Sequence, residues 1–234
     1  MAEKNSALIW ERVQAGHRVR NLDYGAIVGA AMKLADHDGI EAVSMRSVAS
    51  ALDAGTMSLY RYVAGKDDLL DLILDEAYGQ IPLPPRSRSD WRKQLKMVAV
   101  ETRRVLKKHA WVSSLITMRP NLGPNYLRWF EFLLETTSSS GRSVEARMRM
   151  IGTLWAYVSG FIAYELGEME TNRRLKLTEA KKRRAVQPYV ERVLATGNYP
   201  CLAEFLKAGI PQSSEKDFLA GLDAVLTGIS SVEA

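Results

Sequence analysis

The chain has 234 residues, 47% of them hydrophobic, with 32 Lys and Arg against 27 Asp and Glu and a formal net charge of +5. That length fits one or two domains with a real core, and the modest positive balance permits a polyanionic partner without requiring one. A single cysteine, Cys201, excludes an internal disulfide and fits a reducing cytoplasm. The start, MAEKNSALIWERVQ, lacks the apolar core of a secretion signal, and the longest apolar run, 154–164, falls well short of the roughly 20 residues that span a bilayer. A cytoplasmic protein without a membrane partner is expected.

Apolar residues recur at spacings of three and four, and strand-like alternation is hard to find, so the fold class is all-α. Residues 1–21 form an arm carrying Trp10, Arg12, His17, Arg18 and Arg20, with a short helix over 7–13. A first full helix is expected over 24–37. Asp23 is its N-cap, Ile27, Val28, Ala31, Leu34 and Ala35 its apolar stripe, and Gly39 its stop. Ser44 caps a second helix, which turns Val48, Ala49 and Leu52 inward. A turn at 53–55 leads to a third helix over 56–62, anchored by Leu59 and Val63. Lys66 precedes a fourth helix opening with Asp67 and Asp68, whose carboxylates suit the positive end of the helix dipole. Leu69, Leu70, Ile73, Leu74 and Ala77 form its buried face.

The stretch IPLPPRSRSD at 81–90, with three prolines, cannot continue a helix and marks a domain boundary. The reading is thus an arm (1–21), a head (22–80) and a larger second domain (81–234). The second domain reads as helices over 90–108, 110–118, 124–138, 143–168, 174–195 and 215–230, with a short helical turn at 202–208.

Short helix, tight turn, short helix is the arrangement that lays a reading helix in the DNA major groove, its N-terminal residues against base edges. Those residues are Thr56, Met57 and Ser58: the hydroxyls suit base edges or phosphates, and the Met57 thioether can pack on a thymine methyl. Tyr60 and Tyr62 are expected to hold phosphates through their hydroxyls. Arg46 can reach a guanine or a phosphate, and Lys66 the backbone. The plainer alternative is a small bundle with half-buried tyrosines.

The features Ala30-Ala31, Gly39-Ile40, Ser44-Met45-Arg46, Val48-Ala49, Leu52, SLYRYV at 58–63 and Lys66-Asp67-Asp68-Leu69-Leu70 together resemble the DNA-binding domain of the TetR (tetracycline-repressor) family. On that resemblance the candidate DNA-binding residues are Ser44, Arg46, Thr56, Met57, Ser58, Tyr60, Tyr62 and Lys66. Two positions depart from the family. Asp53 stands where glycine is usual in a left-handed turn, which aspartate tolerates better than most. Gly55 stands where Ser or Thr often caps the reading helix, so Thr56 is either the cap or a base reader. Arg18 and Arg20 are candidate minor-groove or phosphate contacts from the arm; a loosely packed tail is the alternative.

The resemblance extends more weakly over the second domain, through DWRKQLKMVA, HAW, RPNLGPNYLRWFE, LWAYVSGFIAYE, YPCLAEFL and FLAGLDAVLTGI. It implies a helical regulatory domain that binds a small molecule and dimerises. Gly152, Ala156, Gly160 and Ala163 form one stripe and Phe218, Leu222, Val225 and Ile229 another; each serves either a four-helix dimer interface or packing within the subunit. A two-fold dimer suits palindromic operator DNA with half-sites about 34 Å apart. Trp111, Met118, Tyr126, Trp129, Phe130, Trp155, Phe161 and Tyr164 supply walls for an apolar effector pocket, with plain core as the alternative, and Glu165 is either its polar anchor or a surface carboxylate. No cofactor, metal site or catalytic constellation is visible: phosphate loop, nucleophile elbow and metal-ligand spacing are all missing from the sequence. The expected function is a ligand-responsive, homodimeric transcriptional repressor. A transcriptional activator, or a ligand-independent DNA-binding or architectural protein, is the alternative.

Overall fold

The fold comes from a computed structural model that describes residues 8–14, 22–85, 90–116, 122–175, 179–208 and 214–231. All regular elements among these residues are helical. Arg18, Arg20 and Met118 lie outside the described residues.

The N-terminal part comprises α1 (Ile9–Gln14), α2 (Tyr24–Asp38), α3 (Met45–Ala51), α4 (Thr56–Leu59) and α5 (Lys66–Gly79). Local chemistry sets their ends. The Asp23 carboxylate accepts from the Ala26 N–H at 2.7 Å. Gly39 closes α2 at φ 87° by donating its N–H to the Ala35 carbonyl, a left-handed stop that glycine adopts without steric cost. Ser44 and Ser47 cap α3 reciprocally, each hydroxyl accepting from the other's N–H. Asp53 turns the chain between α3 and α4 at φ 49°, the left-handed conformation its place in the motif requires.

Helix α4 is shorter than the expected 56–62. Gly55 occupies the N-cap position, so Thr56 is the first helical residue and not the cap, and 60–62 continue as a turn. Ile27, Val48, Leu59, Val63, Leu69 and Ile73 close the core of the head. Helix α1 docks on α5: Ile9 is buried, and Arg12 pairs with Asp68, whose carboxylate also accepts the Ala64 N–H.

The C-terminal part comprises α6 (Trp91–Leu106), α7 (Pro124–Ser138), α8 (Val144–Leu175), α9 (Glu179–Ala195), α10 (Pro200–Ala208) and α11 (Glu215–Ser231). The helix expected over 110–118 is only a 3₁₀ turn, Ala110–Ser114, and α8 runs beyond the expected 168 to Leu175. Helix α8 is the spine on which α6, α7 and α11 pack. Leu95 and Leu106 of α6, Leu133 of α7, Leu154, Ile162 and Leu166 of α8, and Phe218 and Leu222 of α11 fill the space between them. Helix α5 packs against both α6 and α7, so one continuous core joins the head to the larger bundle. Helices α9 and α10 pack on each other and leave Tyr189, Tyr199, Leu202 and Phe205 exposed. No helix among the described residues is long and apolar enough to cross a membrane.

Candidate nucleic-acid interface

The loop-and-helix segment 55–66 divides its side chains cleanly. Leu59 and Val63 are fully buried and hold the segment on the head. Met57 is 77% exposed and Tyr60 48% exposed, with Ser58 and Arg61 exposed beside them and Thr56 half-buried at the start of α4. Arg46 is exposed on α3. Lys66 opens α5 with its ammonium 3.5 Å from Glu41. A polar, cationic and partly apolar surface therefore stands on a rigid base, which is what groove reading needs. Ser44 is engaged in its cap, its hydroxyl accepting from Ser47 N–H at 3.1 Å.

Tyr62 corrects the sequence reading. It is 1% exposed, its hydroxyl donates to the Leu22 carbonyl at 2.7 Å, and its ring meets Tyr24 edge-on at 5.4 Å. Because α4 ends at Leu59, the turn that follows swings Tyr62 into the core, where it ties the start of α2 to the reading segment. Arg61, between the two tyrosines, is the exposed cation that the helical extrapolation overlooked.

Polar links fasten the head to the larger bundle, among them the Arg128 guanidinium of α7 donating to the Gly79 carbonyl of α5 at 3.3 Å. At the end of α2, the Asp36 carboxylate accepts from His109 Nδ1 at 2.8 Å and from the Trp111 indole N–H at 2.7 Å. On α5, Asp75 is 3% exposed, and its carboxylate accepts from the Tyr126 N–H at 2.9 Å, the Asn125 N–H at 3.2 Å and the Asn125 side-chain amide at 3.0 Å. Asp75 thus supplies from another helix the N-terminal cap that Gly123 cannot give α7. A Cβ on Gly123 would lie 2.1 Å from Asp75 Oδ1, so only glycine admits the carboxylate there. Burial holds the Asp75 carboxyl above its ordinary value, against the donors of Tyr126 and Asn125 that favour the anion.

Next to this link, Tyr78 of α5 packs on Tyr126 at 5.0 Å and Trp129 at 5.4 Å, and Trp129 meets Trp155 at 5.3 Å. The Trp129 indole N–H donates to Thr102 Oγ1. Between α6, α7 and α8 lies a void of about 10 Å³, lined by Val98, Ala99, Thr102, Trp129, Leu133, Ile151, Leu154, Trp155 and Val158. That is room for one water at most.

Comparison with known proteins matches this two-part geometry. Residues 27–73 fit the family of bacterial regulatory proteins, tetR family, and residues 83–232 fit the tetracyclin repressor-like C-terminal domain. The chain belongs to the TetR family. It is 36% identical over 213 residues to the HTH-type transcriptional repressor DrrR1 of Streptomyces coeruleorubidus, covering 89% of this chain and 77% of that protein. It is 40% identical over 134 residues to an HTH-type transcriptional regulator of Saccharopolyspora erythraea, covering 57% of each. Among solved structures it is similar to apo ActR from Streptomyces coelicolor, with 24% identity and a TM-score of 0.76 over 92% of this chain and 97% of that one. It is also similar to ActR in complex with actinorhodin, with 24% identity and a TM-score of 0.77 over 90% and 96%; identity at that level speaks to the fold. The protein is a DNA-binding transcriptional regulator, not an enzyme.

Within this TetR-family regulator the residues expected to line an effector pocket separate into groups. Trp129 and Trp155 face the void. Tyr126 and Phe130 do not line it; half-buried, they stack on each other at 6.0 Å, with Tyr126 5.8 Å from Trp129. Trp111 does not join them, because its indole is committed to Asp36. Nor do Phe161 and Glu165. The Glu165 carboxylate accepts from Arg103 Nε at 2.8 Å, from a second Arg103 nitrogen at 2.6 Å and from Lys107 Nζ at 3.0 Å. The Arg103 guanidinium lies over the Phe218 ring at 4.7 Å and the Phe161 ring at 5.6 Å. Burial alone would raise the Glu165 carboxyl; the hydrogen bonds and charges of Arg103 and Lys107 outweigh it and hold the group below its ordinary value.

The two stripes assigned to a dimer interface also separate. Gly152, Ala156 and Gly160 are exposed on α8, with Ala163 half-buried. Phe218 and Leu222 are fully buried and Ile229 is 4% exposed within one subunit, so those three face their own α6 and α8, and Val225 is half-buried. The outer face of α11 carries Ala220, Ala224 and Gly228 instead. Small residues there were invisible to a search for apolar periodicity.

Proposed function

We propose that this regulator acts as a homodimer on a palindromic operator and is released from it by a large, partly planar, apolar effector. The observation that carries the reading is the division of segment 55–66: Leu59, Tyr62 and Val63 anchor it inward while Met57, Ser58, Tyr60 and Arg61 stand outside. In this reading Thr56, Met57 and Ser58 meet base edges, and Arg46, Tyr60, Arg61 and Lys66 hold phosphates, with Arg18 and Arg20 of the arm reaching along the backbone. Ser44 acts through the cap that sets α3.

The dimer is supported by the small, exposed faces of α8 and α11, which let helices of a second subunit approach closely. The effector site is supported by the aromatic wall of Trp129 and Trp155, with Tyr126 packed on Trp129 and stacked on Phe130, and by the structural likeness to ActR, a protein whose complex with actinorhodin is known. A drug-sized ligand needs roughly 300 Å³ or more. Binding there therefore requires α7 to part from α8. Coupling of about 1–3 kcal/mol between the two sites shifts operator occupancy by roughly 5- to 150-fold.

A mobility-shift titration with DNA from upstream of the protein's own reading frame, against scrambled DNA at two salt concentrations, tests this. A tight preference for the upstream fragment, reversed by an aromatic probe such as actinorhodin, is the expected result. Equal and steeply salt-dependent binding to both DNAs would leave only phosphate attraction and favour the architectural alternative.

A further inference from the structure

We propose that Asp75 is the positioning residue through which the effector region and the DNA-reading head sense each other, acting as a latch between α5 and the first turn of α7. This deepens the repressor reading above and rests on it. Four observations converge on one place. Asp75 lies on the helix that follows the reading segment, and its carboxylate is spent on three N–H donors at the start of α7. Gly123 is shaped to admit that carboxylate, with no room for a Cβ. Tyr126, whose N–H is one of the donors, packs on Tyr78 of α5 and on Trp129. Trp129 and Trp155 are walls of the void.

The void and the latch are therefore one turn of α7 apart. Parting α7 from α8 must either drag α5 along through Asp75 or break three hydrogen bonds to a buried carboxylate, which is a two-state choice and not a graded one. Beside Asp75, α7 reaches α5 through Arg128 on the Gly79 carbonyl, a longer and exposed bond at 3.3 Å; the link of Asp36 with His109 and Trp111 touches no residue of the void, and its Asp36 side chain is 37% exposed. Water competes for that link more readily than for Asp75.

Linkage makes the coupling reciprocal, so operator binding must be felt at Trp129 even without an effector. The full-length protein labelled with 5-fluorotryptophan carries five reporters. The Trp129 and Trp155 fluorine resonances are assigned by Trp129→Phe and Trp155→Phe. Saturating operator duplex is expected to shift the Trp129 resonance in the wild type. In Asp75→Asn, and independently in Gly123→Ala, that shift is expected to vanish while operator binding weakens by no more than about 10-fold. Gly123→Ala keeps the carboxylate and evicts it sterically, so it serves if Asp75→Asn folds poorly. A change in stability alone leaves the operator-induced shift in place and overturns the latch. So does a wild-type Trp129 resonance unmoved by bound operator. If the wild type binds no operator at all, the repressor reading falls and the latch with it.

Discussion

The DNA-reading head and the effector bundle are both helical and share one core, yet they carry their function in opposite ways. In the head, the groups proposed to meet DNA are displayed: Met57, Ser58, Tyr60 and Arg61 stand outside, while Leu59 and Val63 beneath them are fully buried. In the bundle, the groups that matter are hidden. Arg103 and Glu165 are both less than 9% exposed, as is Asp75 of α5 where it meets the start of α7, and the aromatic wall of the void is closed on itself. A surface that must read many copies of a regular polymer has to be preformed and exposed. A site that converts binding into motion has to be packed, because only a packed site has something to break.

If anchoring and display are separate in the head, two neighbouring tyrosines should behave differently. Replacing Tyr62 with alanine removes a core ring and leaves the Leu22 carbonyl without its hydroxyl donor, so stability should fall by about 3–5 kcal/mol and the helical signal should melt roughly 6–20 °C lower. A small shift in melting temperature would show that the ring is not load-sharing in the core.

In the bundle, Glu165→Ala leaves the buried Arg103 without its bidentate partner and should cost about 3 kcal/mol or more at pH 7. The pH dependence has a definite sign. The folded-state Glu165 carboxyl titrates below its ordinary value of 4.5, so its contribution is whole above that pH and is lost as pH falls through the lowered value. Thermal melts between pH 7 and pH 3 should therefore fall more steeply for the wild type than for Glu165→Ala. Parallel curves would remove the ion pair from the list of what binds α6 to α8.

Tyr60→Ala is the counterpart of Tyr62→Ala. It should weaken operator binding by about 1–3 kcal/mol while melting within a degree or two of the wild type; unchanged affinity would mean that the reading face is misplaced. The smallest effect is expected at Asp53. Held at φ 49°, it should accept glycine within about 0.5 kcal/mol, whereas alanine should cost about 1 kcal/mol. Chemical denaturation of the pair measures both.

Helix ends in the head were legible residue by residue. Asp23, Gly39, Ser44 and Asp53 act on backbone groups a few positions away, and each does in the structure what its chemistry suggested. Tyr62 was misread because a helix drawn to residue 62 puts it on an outer face, whereas α4 stops at Leu59 and the following turn sends it inward. In the bundle, the stripe Phe218, Leu222 and Ile229 correctly signalled burial, but periodicity says only that a face is covered, not whether by its own subunit or another. Trp111 and Glu165 were taken for pocket residues because their partners, Asp36 and Arg103, lie 75 and 62 positions away.

The sequence by itself determined the helical class and the helix-turn-helix, since these rest on caps, turns and periodicities that act over a few residues, and its motifs carried the resemblance to the family. Which tyrosine is exposed and which one anchors, how closely α6, α7 and α8 shut around Trp129 and Trp155, and the seating of Asp75 on the start of α7 were decided only by tertiary structure. Each depends on groups brought together from distant parts of the chain, and a buried charge or ring has no local signature until its partner is in place.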